Sequence, residues 1–420
     1  MRKKNIKKIL ISGGWGYANF GDDAILISTI NLIEKKFPGA EIVVSSYNVE
    51  ETERNVNRND IQFIPSVHRH LTGDLSAKRL IIVEKKDILR FNRNFVSRVF
   101  SKIEIRLKQI KYSIQEALSY RKYNLLLKDN SMLPLYEEYK SFDLFVQAGG
   151  GYFLGSWLDN LYSRVIELVI AKRNNLPILI MGQSIGPFNT KRTQEIALRG
   201  LQLANVISVR DQESVNELLS YQIDSKLVPD TALYGKQINR IKQATLTIIV
   251  GGIGMTERQG MIICKAVAAA AKLLGFWIKI VVTRLWYSDL NSAYRLDQAF
   301  KAENINATLI IPVNYAHLQN ELATTSMIIS QNLHGLIMGW RSGVPGISLS
   351  SGRKFTGFME QSNQSHRLLP LESLSQNDLT NCILDTGKDR DKSVCLQQSL
   401  SDKIEKDFDQ CLDDLMHSTR

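Results

Sequence analysis

The sequence predicts an α/β protein built from two doubly wound parallel-sheet domains with a cleft between them. Three observations carry this expectation. Apolar runs of strand length alternate with helical patterns almost throughout, glycine-bearing turns follow four of those runs, and the runs outnumber the strands of one comfortable sheet. Alternation of strand and helix implies parallel sheets covered on both faces. The turn after each strand then lies at the carboxyl edge of its sheet, where ligands of such folds bind.

Taken in order, the strands expected are Ile6–Ser12, Glu41–Ser46, Leu144–Gln147, Ile178–Gly182, Val206–Val209, Leu246–Val250, Trp277–Val282, Met327–Ile329 and Gly346–Leu349. A polar stretch between Tyr234 and Gln243 precedes a fresh strand, glycine turn and helix, so an N-terminal domain is expected over 1–239 and a C-terminal domain over 240–375. The remainder, 376–420, is polar with modest periodicity, and Ser399–Met416 is expected to form a last helix. The longest apolar stretch, Ala266–Val282, is cut by Lys272 and Lys279, which makes it a helix followed by a strand and not a membrane span.

A composition of 44% apolar and 23% charged residues is that of an ordinary globular chain and excludes disordered and fibrous classes. The N-terminus is basic, but its apolar part is only a strand's length and lacks a small-residue cleavage site, so no export signal is expected. Cys264, Cys382, Cys395 and Cys411 show neither metal-type nor redox-type spacing, which suits reduced thiols in a cytoplasm and predicts no metal site. The formal charge is +11, and the excess is local: residues 78–128 hold 14 Lys or Arg against four Asp or Glu, with apolar residues at helical spacing. A solvated amphipathic helix explains that pattern; docking on an anionic membrane face or on a lipid-linked substrate is the functional alternative. Nucleic acid is not expected, because no binding motif accompanies the charge.

The glycine turns are SGGWGYANFGDD, QAGGGYFLGSW, MGQSIGPF and VGGIGMTER. The first places Gly13, Gly14, Gly16 and Gly21 before a helix that Asp22 or Asp23 can cap, but Asn19 stands where a dinucleotide fingerprint needs its third glycine, and no Gly-Lys-Ser/Thr follows. Two carboxylates at a helix start repel a phosphate, so this loop is expected to face sugar hydroxyls, with Gly14, Gly16 and Asn19 on the acceptor side. Gly150 and Gly151, in a run of three glycines, allow close approach of a ligand, and Gln183 and Ser184 offer neutral hydrogen-bonding groups for a polyol.

Among charged residues, Arg210 ends a strand just before Asp211, which can cap the helix Glu213–Ser220. Arg210 is either half of a structural ion pair or a fork for a carboxylate or phosphate. Asp230 follows a short strand and a proline, as a general base or as a turn residue. Arg284 and Lys354 add cations at later strand ends. His334 sits where the strand Met327–Ile329 hands over to a helix Leu333–Trp340, at a helix start that favours anions. A core or capping role is the ordinary fate of a lone histidine in so apolar a neighbourhood.

Six pieces, GGWGYANFGDDAIL, QAGGGYFLGSW, GQSIGPF, VRDQES, VPDTAL and NLHGLIMGWRSGVPGISLSSGRK, occur in one order over more than three hundred residues. Together they resemble the polysaccharide pyruvyl transferase family. The resemblance implies a GT-B-like pair of domains and transfer of the enolpyruvyl unit of phosphoenolpyruvate onto two saccharide hydroxyls as a ketal, in surface polysaccharide synthesis. It implies catalytic roles for His334, Asp22 and Asp230, a donor set of Arg210, Asn332, Gly335, Lys354 and Arg284, no cofactor beyond phosphoenolpyruvate as co-substrate, and a saccharide acceptor that a lipid could carry. The family usually has Arg-Leu-His-Gly where this chain has Asn332-Leu333-His334-Gly335, which weakens one donor contact. A nucleotide-sugar glycosyltransferase and an inactive assembly scaffold are the competing functions. A homo-oligomer is compatible with the sequence, which does not set the state.

Overall fold

The computed structural model describes residues 6–72, 116–121, 123–124, 133–155, 158–235, 238, 240–251, 255–350 and 352–418. Most of the basic segment 78–128 lies outside the described residues. The strands are β1 Lys8–Ser12, β2 Glu41–Ser46, β3 Gln62–Pro65, β4 Leu144–Gln147, β5 Gly150–Phe153, β6 Ile178–Ile185, β7 Val206–Val209, β8 Lys226–Leu227, β9 Thr245–Val250, β10 Trp277–Val282, β11 Ala307–Ile310, β12 Met327–Ser330 and β13 Gly346–Ser348. They form two parallel sheets, the first in the order β3-β2-β1-β4-β6-β7-β8 with β5 beside β6, the second in the order β11-β10-β9-β12-β13. Both orders reverse direction at a central strand, leaving a crevice outside the carboxyl ends.

Side-chain alternation sorts the strands' residues between layers. Ile9 and Ile11 of β1 join one core with the helix Phe20–Lys36, while Leu10 between them joins the core under the helix Leu158–Arg173. The first of these cores continues into the second half through Ile249, Ile328, Leu333, Leu336 and Ile337, so the two halves share buried apolar surface. Each such side chain, fully buried, stabilises by about 1.5–3 kcal/mol.

The helix Leu333–Arg341 packs closely on the second sheet through two glycines. A Cβ on Gly335 would approach Ile249 Cδ1 to 2.6 Å, and one on Gly339, a turn later, would overlap Ile328. Two glycines one turn apart thus flatten the helix face and fix the height of its first turn.

Three strands escape the sequence reading. β3 and β11 are short edge strands of mixed residues, and β5 is hidden in the glycines at 149–151, which read as a loop; the short strand expected before Asp230 is β8. The C-terminal segment forms helices Gln376–Lys388 and Arg390–Ser418, the second longer than expected. That last helix returns to the first half, where Phe408 meets Tyr234 edge-on at 5.6 Å, and Lys36 and Lys226 pair with Asp413 and Asp414. Among the described residues no helix is long and apolar enough to cross a membrane.

Candidate active site

Arg210 follows β7, Asp230 follows β8, Arg284 follows β10, His334 follows β12, Lys354 follows β13 and Asp22 lies just beyond the β1 turn, so every charged candidate stands at a carboxyl edge. The two edges face each other and are joined by backbone. Phe20 N–H donates to Thr283 O at 3.1 Å, Leu285 N–H to Ala18 O at 2.8 Å, and the Trp286 indole N–H to Tyr17 O at 2.6 Å. The loop after β1 and the loop after β10 therefore close one end of the cleft.

Asp230 is the hub. Its Oδ2 accepts from Arg210 Nη1 at 2.5 Å and lies 3.8 Å from His334 Nε2, while its Oδ1 accepts from Ala232 N–H at 3.0 Å. Burial alone would raise this carboxyl, but Arg210 and His334 outweigh it and hold Asp230 well below the usual carboxylate range. His334 Nε2 is buried and has no hydrogen-bond partner among the described residues. Removing Arg210 would leave a buried anion without its counter-charge, a change that costs about 3–5 kcal/mol.

Asp22 stands across from this pair. Burial raises its carboxyl above the ordinary range, opposed by His334, by the hydrogen bond from Asn19 and by Arg210 and Lys354. Asn19 Nδ2 donates to Asp22 Oδ2 at 2.7 Å and orients it. Lys354 lines the open side of the cleft, in contact with solvent that screens its interactions. Enclosure by the cleft walls, then repulsion from Arg210 and Arg284, pulls its ammonium down to about 8, against attraction from Asp22 and Asp230.

Several expected contacts turn out to be structural. Asn19, not Asp22 or Asp23, caps the helix Phe20–Lys36, because its side chain reaches Gly21 N–H at 3.2 Å. Asn332 caps the helix Leu333–Arg341 by accepting from His334 N–H at 3.0 Å and Gly335 N–H at 3.3 Å, so its oxygen holds the histidine's backbone instead of a donor. Gly335 is buried against the sheet. Gly16, at φ +86, turns the chain against Asn48. Gln183 is wholly buried and donates to Ala148 O, and Ser184 Oγ accepts from Arg210 Nε at 2.8 Å while donating to Asp211 Oδ2 at 2.8 Å. Burial withholds Gln183 from the cleft, and the Ser184 hydroxyl is engaged by its two bonds. Arg284 is held by Asp289, its Nε 2.9 Å from Oδ1, and lies over the Trp286 ring.

The glycines do different work. A Cβ on Gly21 would come within 2.6 Å of His334 Cγ, so the ring packs directly on the backbone of the first half. Gly14 and Gly150 flank Tyr152, whose ring overlaps the place of a Cβ on either, and Gly151 stands beside Arg210 Nη2. Tyr152 was not legible as a site residue, although an aromatic directly after three glycines was the available signal. Its hydroxyl is buried without a partner among the described residues, and burial pushes it well above the usual tyrosine range, with Asp22 adding to the effect. Behind it, Arg164 and Glu167 form a buried pair tied to Ser12 and Tyr47, a foundation that periodicity alone did not single out.

Comparison with known proteins bears on the family and the fold. The family described as polysaccharide pyruvyl transferase matches residues 19–353. The amylovoran biosynthesis protein AmsJ of Erwinia amylovora is 20% identical over 290 residues, covering 61% of this chain and 69% of that protein. Among solved structures, HepE of Anabaena in complex with UDP-glucose superposes with a TM-score of 0.54 at 12% identity, covering 96% of this chain and 95% of that one. The UDP-GlcNAc 2-epimerase of Neisseria meningitidis bound to UDP-GlcNAc gives a TM-score of 0.53 at 11% identity, with 93% and 94% covered. Those two likenesses establish the GT-B-type fold. With the motif residues gathered at one cleft and most of its length matched, the chain belongs to the polysaccharide pyruvyl transferase family.

Proposed function

We propose that this protein moves the pyruvyl unit of phosphoenolpyruvate onto two hydroxyls of a saccharide, forming a cyclic ketal and releasing inorganic phosphate, in the synthesis of an extracellular polysaccharide. The observation that carries this is the meeting of Arg210 and Lys354, cations from the two halves, with Asp22, Asp230 and His334 at one cleft. The donor brings a carboxylate and a phosphate, and a cation from each half suits two anionic groups on one small molecule.

His334 supplies the proton that adds to the methylene carbon, while Asp230 orients its ring. The C2 carbon, now electron-poor, takes the first saccharide hydroxyl, whose proton goes to Asp22. The C–O bond to phosphate then breaks, phosphate leaving with its electron pair and the proton that Asp22 has taken, and the second hydroxyl closes the ketal as its own proton passes to His334, which restores both groups. Arg210 and Lys354 hold the anions through these steps. The donor site thus draws on both halves, and the loop after β1 faces the acceptor. Free thiols at Cys264, Cys382, Cys395 and Cys411 are in keeping with a cytoplasmic location.

Acceptor-dependent phosphate release from phosphoenolpyruvate, with the ketal identified on the product by mass spectrometry, tests the proposal. Tight binding of a nucleotide sugar with no heat from phosphoenolpyruvate would replace it by glycosyl transfer.

A further inference from the structure

We propose that Arg353 is a latch between the two halves that assembles the anion site, a positioning residue acting through Arg210 and Lys354; this rests on the donor roles given to those two cations above. Arg353 opens the helix Arg353–Gln361 of the second half, yet its guanidinium lies in the first. Nη1 donates to Gly186 O at 3.2 Å, Nη2 to Ile185 O at 3.1 Å and Ser214 Oγ at 2.5 Å, and Nε to Asp211 Oδ1 at 2.8 Å, while Glu213 Oε2 forms an ion pair with Nε at 2.5 Å. These acceptors are the last carbonyls of β6 and its turn and the start of the helix Gln212–Leu219. A fork that meets two carbonyls and two carboxylates at once fixes both distance and angle between the halves.

From Asp211 the contact runs without a gap into the site. Its Oδ1 faces Arg353, its Oδ2 accepts from Ser184 Oγ at 2.8 Å, and Ser184 Oγ accepts from Arg210 Nε at 2.8 Å. Arg210 then holds Asp230. On the other side of Arg353 the next residue is Lys354, the second cation. Anchoring one residue therefore sets Arg210 from the first half and carries Lys354 to it from the second.

Charge does not set the spacing of the halves by itself: across the cleft Lys354 is repelled by Arg210 and attracted by Asp22 and Asp230. Every bond of the latch lies outside the cluster, so it favours closure independently of substrate. Without it the ligand-free halves open, and only the closed fraction binds donor well. A closed fraction reduced to about one tenth raises the apparent dissociation constant about tenfold.

The test compares R353Q and R353K with the wild type by calorimetric titration with phosphoenolpyruvate, small-angle scattering of the ligand-free protein, and initial rates at limiting and saturating donor. We expect both variants to show a larger ligand-free radius of gyration and about tenfold weaker donor binding, with kcat at saturating donor near wild type, since lysine keeps the charge but lacks the fork. Unchanged scattering with unchanged donor binding would overturn the latch. So would a loss of kcat at an unchanged KM. Should R353Q fail to fold, R353K carries the same measurements. A wild type that gives no heat with phosphoenolpyruvate defeats the donor assignment, while the scattering comparison still judges the latch.

Discussion

His334 Nε2 lies 3.8 Å from Asp230 Oδ2, the oxygen that also accepts the hydrogen bond from Arg210 Nη1 at 2.5 Å, so one carboxylate of the first half bonds its own arginine and stands beside the histidine of the second half. A group delivering a proton to carbon needs this kind of fixed direction, and a carboxylate held ionised supplies it.

Replacing His334 by alanine should lower acceptor-dependent phosphate release by about 10²–10⁴-fold, the usual contribution of a positioned acid. The ring packs on Gly21, not in the main apolar core, so the melting temperature should change little. Near-normal turnover in this variant would remove His334 from the chemistry.

Gly21→Ala should damage the same step from the opposite wall. A Cβ there would come within 2.6 Å of His334 Cγ and 2.8 Å of its Cβ, so the ring must move. Overpacking of this kind costs about 1–3 kcal/mol. Activity should fall far more than stability, and thermal melts run beside rate measurements will show whether it does.

Activity should decline with rising pH as Lys354 loses its proton. Its ammonium is pulled down to about 8, and only the charged form grips an anion, so kcat/KM for the donor should be full below that pH and fall above it. Lys354→Arg should move the alkaline limb upward. A limb that stays in place in this variant would assign it to another group.

Asp22→Asn should abolish the acidic limb together with most of the rate. Burial raises this carboxyl above the ordinary carboxylate range, so the anion that accepts the hydroxyl proton should be lost at a higher pH than an exposed aspartate would show. The pH profile of kcat in wild type and variant reads this directly.

Asn332→Arg, the family residue, should have two separable effects. It removes a cap bonded at 3.0 Å and 3.3 Å, and loss of an N-cap costs about 1 kcal/mol. If the guanidinium reaches the donor, phosphoenolpyruvate should bind more tightly despite the lower melting temperature, as calorimetry would show. Asn332→Asp, which keeps a cap, should retain the stability.

The alternating strand and helix pattern is written into the chain, because burial on both faces of a parallel sheet requires apolar runs such as Leu144–Val146 and Ile178–Met181. The chain also sets which chemistry stands at the carboxyl edges, since Arg210, Asp230, His334 and Lys354 each follow a strand closely enough for chain direction alone to place them. How these residues share work depends on contacts made in the folded chain. Asn19 and Asn332 became caps, Ser184 became the link between Arg210 and Asp211, and Gly335 became a packing residue, because hydrogen-bond partners and close contacts come from segments remote in the chain. Tyr152 and the crossing of Arg353 to Asp211 stayed hidden for the same reason. A side chain's partner 142 residues away leaves no periodicity to read, whereas a buried strand writes its environment into its own neighbours.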